Sequence, residues 1–499
     1  MSDPVGIPLS GAFVPPAEGG HLDVADAATG AVLLRVADCG EKDVDAVLAA
    51  VTGAAARWRA LTAPDRTEAL LRWARELDGH RDTLAELVAR ESGALRAEAA
   101  ADVDRAVACV RHYAGLVGKI DGRTLSGIPG HLGHTVREPY GVVAGLNSWN
   151  SAPSLFAWQA APALACGNGY VLRAHPAAPL APVLMAHLAQ RAGVEAVAAF
   201  TGRDAVDTRL ARHPAVGVIA FTGSADDGRE VVRASADQVA PLTVRLAAPH
   251  NAFVLAGADL DAAVPCLAHS RFACAGQNWF AAGHVYVHTS LYEAFVAGVV
   301  ALAERLRVGP PLAADAQMGP LISAEARDRV AAAVAAGVAA GAEVRAGGGP
   351  VPGLDGGAYF QPTVVTGAWP SNPLRARPPA GPVLTVSAFG DPAAAAAEAN
   401  AAGSGALAQI WGRDARAVQD LAGRLQTGTV WINTHDALAP EIPMTPWRGS
   451  GYGASGGPDA LDELTRTKAV VWDLTPLAER TPSLTKAALG ADSEGPDHD

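Results

Sequence analysis

Residues 272–287 read "FACAGQNWFAAGHVYV", with Gly276-Gln277 and one spacer ahead of a position that leads into a strand of alternating Val and Tyr. That arrangement usually ends in cysteine, because a thiolate is a strong nucleophile near neutral pH. Here the slot holds Trp279. An indole has one N–H donor and no usable nucleophilic lone pair. Fitting its bulk where a thiol is expected costs on the order of 1–3 kcal/mol unless neighbours shrink. The five cysteines, at 39, 109, 166, 266 and 274, form no CxxC and no His/Cys metal spacing, so no metal site is expected. Sparse and odd in number, they read as reduced thiols of a cytoplasmic protein. His250, His284 and His435 lie near the candidate segments at no triad or metal spacing, and read as polar packing or loop residues.

The elements that must position this loop come in a recognisable rhythm. At 499 residues the chain is too long for one ordinary domain. Three helical stretches run from Glu41 to Gly118, and "IDGRTLSGIPGHLGHTVREPYG" (120–141) reads as a protruding hairpin. Strand–helix alternation follows, from "GVVAGL" to "VGVIAF", and a second round starts near Ala252 and runs to "TGTVWIN". Two such rounds imply an α/β fold with two doubly wound domains and a ligand crevice between them. Residues 1–22 read as an irregular arm and 479–499 as a disordered tail. The formal charge of −12 and the lack of a basic stripe argue against nucleic acid, and no apolar run is long enough to cross a membrane. The N-terminus has no basic and apolar leader pattern. Lysine occurs only at 42, 119, 468 and 486, so arginine in place of lysine carries little weight here.

Seven segments in order carry a resemblance to the aldehyde dehydrogenase superfamily. They are "DAATGAVL" (26–33), "SWNSAPSLFAWQAAPALACGN" (148–168), "FTGSADDG" (221–228), "MGPLIS" (318–323), "YFQPTVV" (359–365), "GTVWIN" (428–433) and "SGYGASGGPDALDELTRTKAV" (450–470). The resemblance implies a Rossmann-like cofactor-type domain over 1–119 and 139–244 and a catalytic-type α/β domain over 245–464. It also implies a small β-flap for oligomerisation over 120–138 and 465–478. Its chemistry needs a thiolate nucleophile, amide donors for an oxyanion, a nicotinamide to take hydride and a carboxylate to activate water.

Laid on that pattern, Asn150 matches the oxyanion-hole amide, although an Asn there could equally cap the following helix. Trp279 falls at the nucleophile without a gap. Arg245, in "PLTVRLAAPHNAFVL", replaces the general-base Glu and stays protonated near neutral pH. Losing a positioned base costs roughly 10²–10⁴-fold in rate. In "RARPPAGPVL", Pro378 stands where a Glu should bind the nicotinamide ribose, and Ala380 where a Phe packs beside the ring. On the adenosine side Trp149, Arg173, Gly223, Ser224 and Gly228 are wholly or partly retained, and the glycine–serine turn reads as a pyrophosphate cradle or as an ordinary strand–helix turn. Cys274, five residues before Trp279, is a weak alternative nucleophile that reads better as a small core residue.

One codon change could give Trp279, but it leaves Arg245, Pro378 and Ala380 unexplained. The preferred expectation is a catalytically deficient member acting as a structural or regulatory subunit, as a homo-oligomer or with an active paralogue. NAD or NADP binding is expected to be weakened. The alternatives are an active NAD(P)-dependent oxidoreductase turning an aldehyde into an acid at an altered site, and a nucleotide or small-ligand binding module.

Overall fold

The computed structural model describes residues 4–18, 20–248 and 250–475. The expected disordered tail at 479–499 and the end of the flap lie outside these residues. Residues 1–22, read as an irregular arm, contain a hairpin of Ile7–Leu9 and Ala12–Val14. Its two-residue turn, Ser10-Gly11, puts both residues in the left-handed region (φ 52° and 80°), the turn chemistry that matches strand twist.

The first sheet is built from β1 (Val142–Asn147), β2 (Gly169–Arg173), β3 (Val197–Phe200), β4 (Val216–Gly223) and β5 (Leu242–Leu246). Their order is β3-β2-β1-β4-β5, all parallel, and Gly451–Tyr452 adds an antiparallel edge to β5. The order reverses between β1 and β4, which opens a crevice at the ends of those strands. Helices cover the sheet because parallel strands bury both faces. One of them, Ala152–Ala165, is buried along nearly its whole length. Three helices between Ala63 and Ala114 pack outside it through fully buried Trp73 and Tyr113, while Glu41–Ala60 lies directly on the sheet.

The second sheet contains β6 (Asn251–Val254), β7 (His284–His288), β8 (Glu343–Ala346), β9 (Thr363–Thr366), β10 (Val383–Phe389), β11 (Leu407–Trp411) and β12 (Thr429–Ile432). Its order is β8-β9-β10-β7-β6-β11-β12, parallel except for the β8 edge. The architecture is thus the expected pair of doubly wound α/β units. The boundary expected at 244/245 shifts, however, because β5 runs through it. Arg245 pairs with Gly451 and aligns with Thr222 in the first sheet, so it belongs to that unit and not to the catalytic-type one. Ala460, Leu461 and Leu464 also join the first unit's core.

The two flap segments meet as a three-stranded antiparallel sheet. Thr465–Asp473 pairs with Pro139–His131 along nine register positions, and Thr124–Leu125 adds the third strand. The flap leaves Leu132, Val471 and Trp472 exposed.

Candidate functional site

The candidate residues gather where the C-terminal edge of the first sheet meets the N-terminal edge of the second. Asn150 follows β1, and the 276–280 loop and the 378–380 segment precede β7 and β10. The Asn150 Nδ2 amide donates to the Gln277 carbonyl at 2.7 Å, and its Oδ1 accepts from the Ser148 hydroxyl at 2.6 Å. The helix that starts at Ala152 has Ser151 at its cap with no side-chain cap bond. The capping reading of Asn150 is therefore replaced by a tie between the two units. The donor an oxyanion would need is engaged by the loop's own backbone.

That loop is tightly held. Cys274, Ala275 and Gly276 are consecutive left-handed residues (φ 50°, 53° and 72°). Only the third is glycine, and a Cβ on it would sit 2.1 Å from the Gly381 carbonyl oxygen. Gln277 is buried, donates to the Cys274 carbonyl and accepts from the Ile322 amide at 3.0 Å. Trp279 is half-buried and packs edge-on against Phe280 with ring centroids 5.1 Å apart. Phe280 in turn contacts Trp431 and His435. An aromatic cluster fills the place where a thiol was sought.

Cys274, the alternative thiol, is poorly placed to ionise. Its thiol is pushed well above the usual range by burial, with Glu98 adding charge repulsion and a hydrogen bond that favours the protonated form. A protonated, enclosed thiol is a poor nucleophile. Glu98 was not visible to sequence reasoning. Its carboxylate accepts from the Cys274 amide at 2.9 Å and from the Leu95 amide at 2.8 Å, so one side chain fixes both a helix start and the loop.

Arg245 donates through Nη2 to the Met444 carbonyl at 2.5 Å, and no Asp or Glu pairs with it among the described residues. Burial pushes its guanidinium down to about 10, which still leaves it cationic at neutral pH. Arg245, Trp279, Trp158, Phe221, Leu438 and Met444 belong to the lining of one shallow cleft that is open to solvent. Arg105 lines it too, bonded to Asp436 at 3.0 Å and lying 3.6 Å from Asp102.

A second cation lies under the 378–380 segment. Arg271 is 3 % exposed and donates to the Pro379 carbonyl at 2.6 Å, while its Nε has no partner. Burial lowers its pKa to about 10, and the same cause holds nearby His250 down at about 4. His435 is pushed to about 3 by burial and by the neighbouring His269 and His250. His250 and His435 are thus neutral at pH 7, and no group of three or more His, Cys, Asp or Glu suited to a metal occurs among the described residues. His284 is a packing residue, bonded to Thr385 and Ser387.

The nucleotide-side residues are all in place and mostly occupied. Arg173, at the end of β2, is paired through two contacts with Asp207. Ser224 caps the helix Ala225–Ser235 by accepting from the Asp227 amide at 3.1 Å, and its hydroxyl donates to the Asp227 carboxylate. Asp226 and Asp227 place acidic charge where a pyrophosphate would approach. A Cβ on Gly223 would meet the Phe221 ring at 2.6 Å, and one on Gly228 would meet the end of the Leu246 side chain at 2.3 Å, so either substitution would make a neighbouring side chain move. Trp149 packs against the core of the second unit. Pro378 lies against Gly283, and neither it nor Ala380 has a side-chain group that can bond a ribose. The residues present do not fit a dinucleotide along its whole length, and no hydride step is assigned to them.

The model of the aldehyde dehydrogenase family matches residues 13–470. Among solved structures, PnpE from Pseudomonas sp. WBC-3 is 31 % identical with a TM-score of 0.92, covering 96 % of this chain and 99 % of that one. The NAD+ complex of aldehyde dehydrogenase from Bacillus cereus is 29 % identical with a TM-score of 0.92, covering 95 % and 97 %. Succinate-semialdehyde dehydrogenase from Burkholderia pseudomallei is 30 % identical with a TM-score of 0.91, covering 95 % and 99 %.

Proposed function

From the premise that the chain belongs to the aldehyde dehydrogenase family, we propose that it has lost aldehyde oxidation and serves as a non-catalytic subunit, either as a homo-oligomer or beside an active paralogue. The observation that carries this reading is Trp279, seated in an aromatic cluster at the position where the family resemblance requires a thiol. Arg245 supports it. A cation cannot take a proton from water, and this one is bound to the Met444 carbonyl. The occupied Arg173 and the acidic turn at Asp226–Asp227 support weak NAD or NADP binding.

The subunit role draws on the flap. Its long strand pairing leaves an apolar face, with Trp472 64 % exposed, that suits a second chain of the same fold. The direct test combines aldehyde-dependent NAD(P)H formation by the purified protein with its oligomeric state and co-purifying partners. Steady turnover across an aldehyde panel would overturn the loss of chemistry. A monomer that captures no paralogue would overturn the subunit role. The retained Asn150 favours the active alternative, but that alternative leaves Cys274 as the thiol, and its burial beside Glu98 opposes ionisation.

A further inference from the structure

Paired charge stands across the crevice at the carboxyl ends of the first sheet. Arg173 is the last residue of β2, opposite Leu146 of β1 and Phe200 of β3, one strand from the reversal of strand order. Its guanidinium donates through Nε and Nη2 to the two carboxylate oxygens of Asp207, on the helix Asp204–Arg212 that follows β3. The two side chains are only 11 % and 20 % exposed, so the pair is largely out of water. A planar fork meeting two oxygens of one anion is the arrangement a phosphate would otherwise take. Two strand spacings away, about 10 Å, the helix after β4 opens on Asp226 and Asp227, and Ser224 already takes the Asp227 amide. His175, near both Arg173 and Asp227, is held down at about 4 by burial and by Arg173, so it adds no cation at neutral pH.

We propose that the Arg173–Asp207 pair shuts this crevice to phosphorylated ligands, nicotinamide dinucleotides included, and that Asp207 is the residue that excludes them. A phosphate can reach the Arg173 fork only by displacing a carboxylate tethered beside it, and a tethered group competes at an effective concentration of about millimolar or more. The displaced carboxylate would stay beside the bound anion, and like charges at that range repel. An inactive member of the family could still hold a nucleotide, so loss of the thiol and the base does not require this exclusion. The inference rests on the weak dinucleotide binding of the reading above and assigns it to one side chain.

The test is calorimetry of the full chain with NAD and with NADP, each up to about 5 mM. Neither is expected to saturate the unsubstituted protein. Asp207→Ala should bind NADP at least about 30-fold tighter than that limit, because two charge-assisted hydrogen bonds become available to a phosphate. Adding Arg173→Met should abolish the gain. Micromolar binding of either dinucleotide by the unsubstituted protein, no gain in Asp207→Ala, or a gain that survives Arg173→Met would overturn the proposal. If Asp207→Ala does not fold, Asp207→Asn, which keeps the size and removes the charge, is read by the same criteria. Aldehyde oxidation that saturates only above millimolar NAD(P) would sink the non-catalytic reading alone, and tight dinucleotide binding without turnover would sink the exclusion alone.

Discussion

Trp279→Cys is expected to leave the protein without steady aldehyde oxidation, although it restores the missing thiol. An ordinary enzyme turns over at about 10 s⁻¹. Absence of a positioned base lowers the rate by about 10²–10⁴-fold, which is roughly 3–5 kcal/mol of barrier. The variant should therefore not exceed about 10⁻³–10⁻¹ s⁻¹. The engaged Asn150 amide lowers this further, since its bond to the Gln277 carbonyl must yield before it can serve an oxyanion, at about 1 kcal/mol. Half-burial and the edge contact with Phe280 suggest a stability loss of about 2 kcal/mol, small enough to leave folded protein for assay. Nicotinamide reduction should be followed for the variant and for Trp279→Cys with Arg245→Glu. The double variant should exceed the single one by about 100-fold. Turnover of the single variant within tenfold of an ordinary enzyme would refute the claim that the site is lost at more than one position.

Three further outcomes follow from the geometry. Ala275→Gly should stabilise the protein by about 1 kcal/mol in chemical denaturation, because it removes a Cβ from a left-handed residue. Glu91 is 1 % exposed and burial raises its carboxyl to about 8 from 4.5, so the folded state holds a proton that the unfolded chain releases. Its contribution is complete below about pH 4.5 and is lost as pH rises through 8; Glu91→Gln, which keeps an acceptor for the Leu180 amide, should flatten that decline in a series of melting curves. Trp472→Asp should weaken self-association by about 30-fold or more, read by light scattering across a dilution series; an unchanged mass would show that the flap is not the contact.

The alternation of strands and helices and the register of the aligned segments were legible because each is fixed locally. The "VYV" run sets the register of Trp279, and Gly381-Pro382-Val383 sets that of Pro378. What escaped is what distant residues supply. Glu98 lies 176 positions from the amide it holds, and Arg271 lies 108 from the Pro379 carbonyl. No local pattern marks either residue. The ambiguity at Asn150 was of the same kind, since the two readings differ only in a partner from another unit. The Ser10-Gly11 turn is a different case, because its signal was present and the surrounding Pro and Gly content obscured it.

Whether the site has decayed or been rebuilt can be argued from how its replacements are held. Decay by chance leaves new side chains without partners, and burying an unpaired polar group costs about 1–3 kcal/mol. Trp279 instead has aromatic neighbours, and Arg245 has the Met444 carbonyl. The Pro379 carbonyl, next to Pro378, receives a hydrogen bond from Arg271. These contacts link three chain segments, so reversing one substitution leaves the others in place. Arg271 Nε and His250 Nδ1, buried beside that segment, are without partners, and so are Trp158 Nε1 and Arg105 Nε in the cleft. Selection for stability alone would tend to remove such costs. The contacts of Trp279 and Arg245 therefore favour a site held in its present form, against the cost of the unpartnered groups around it.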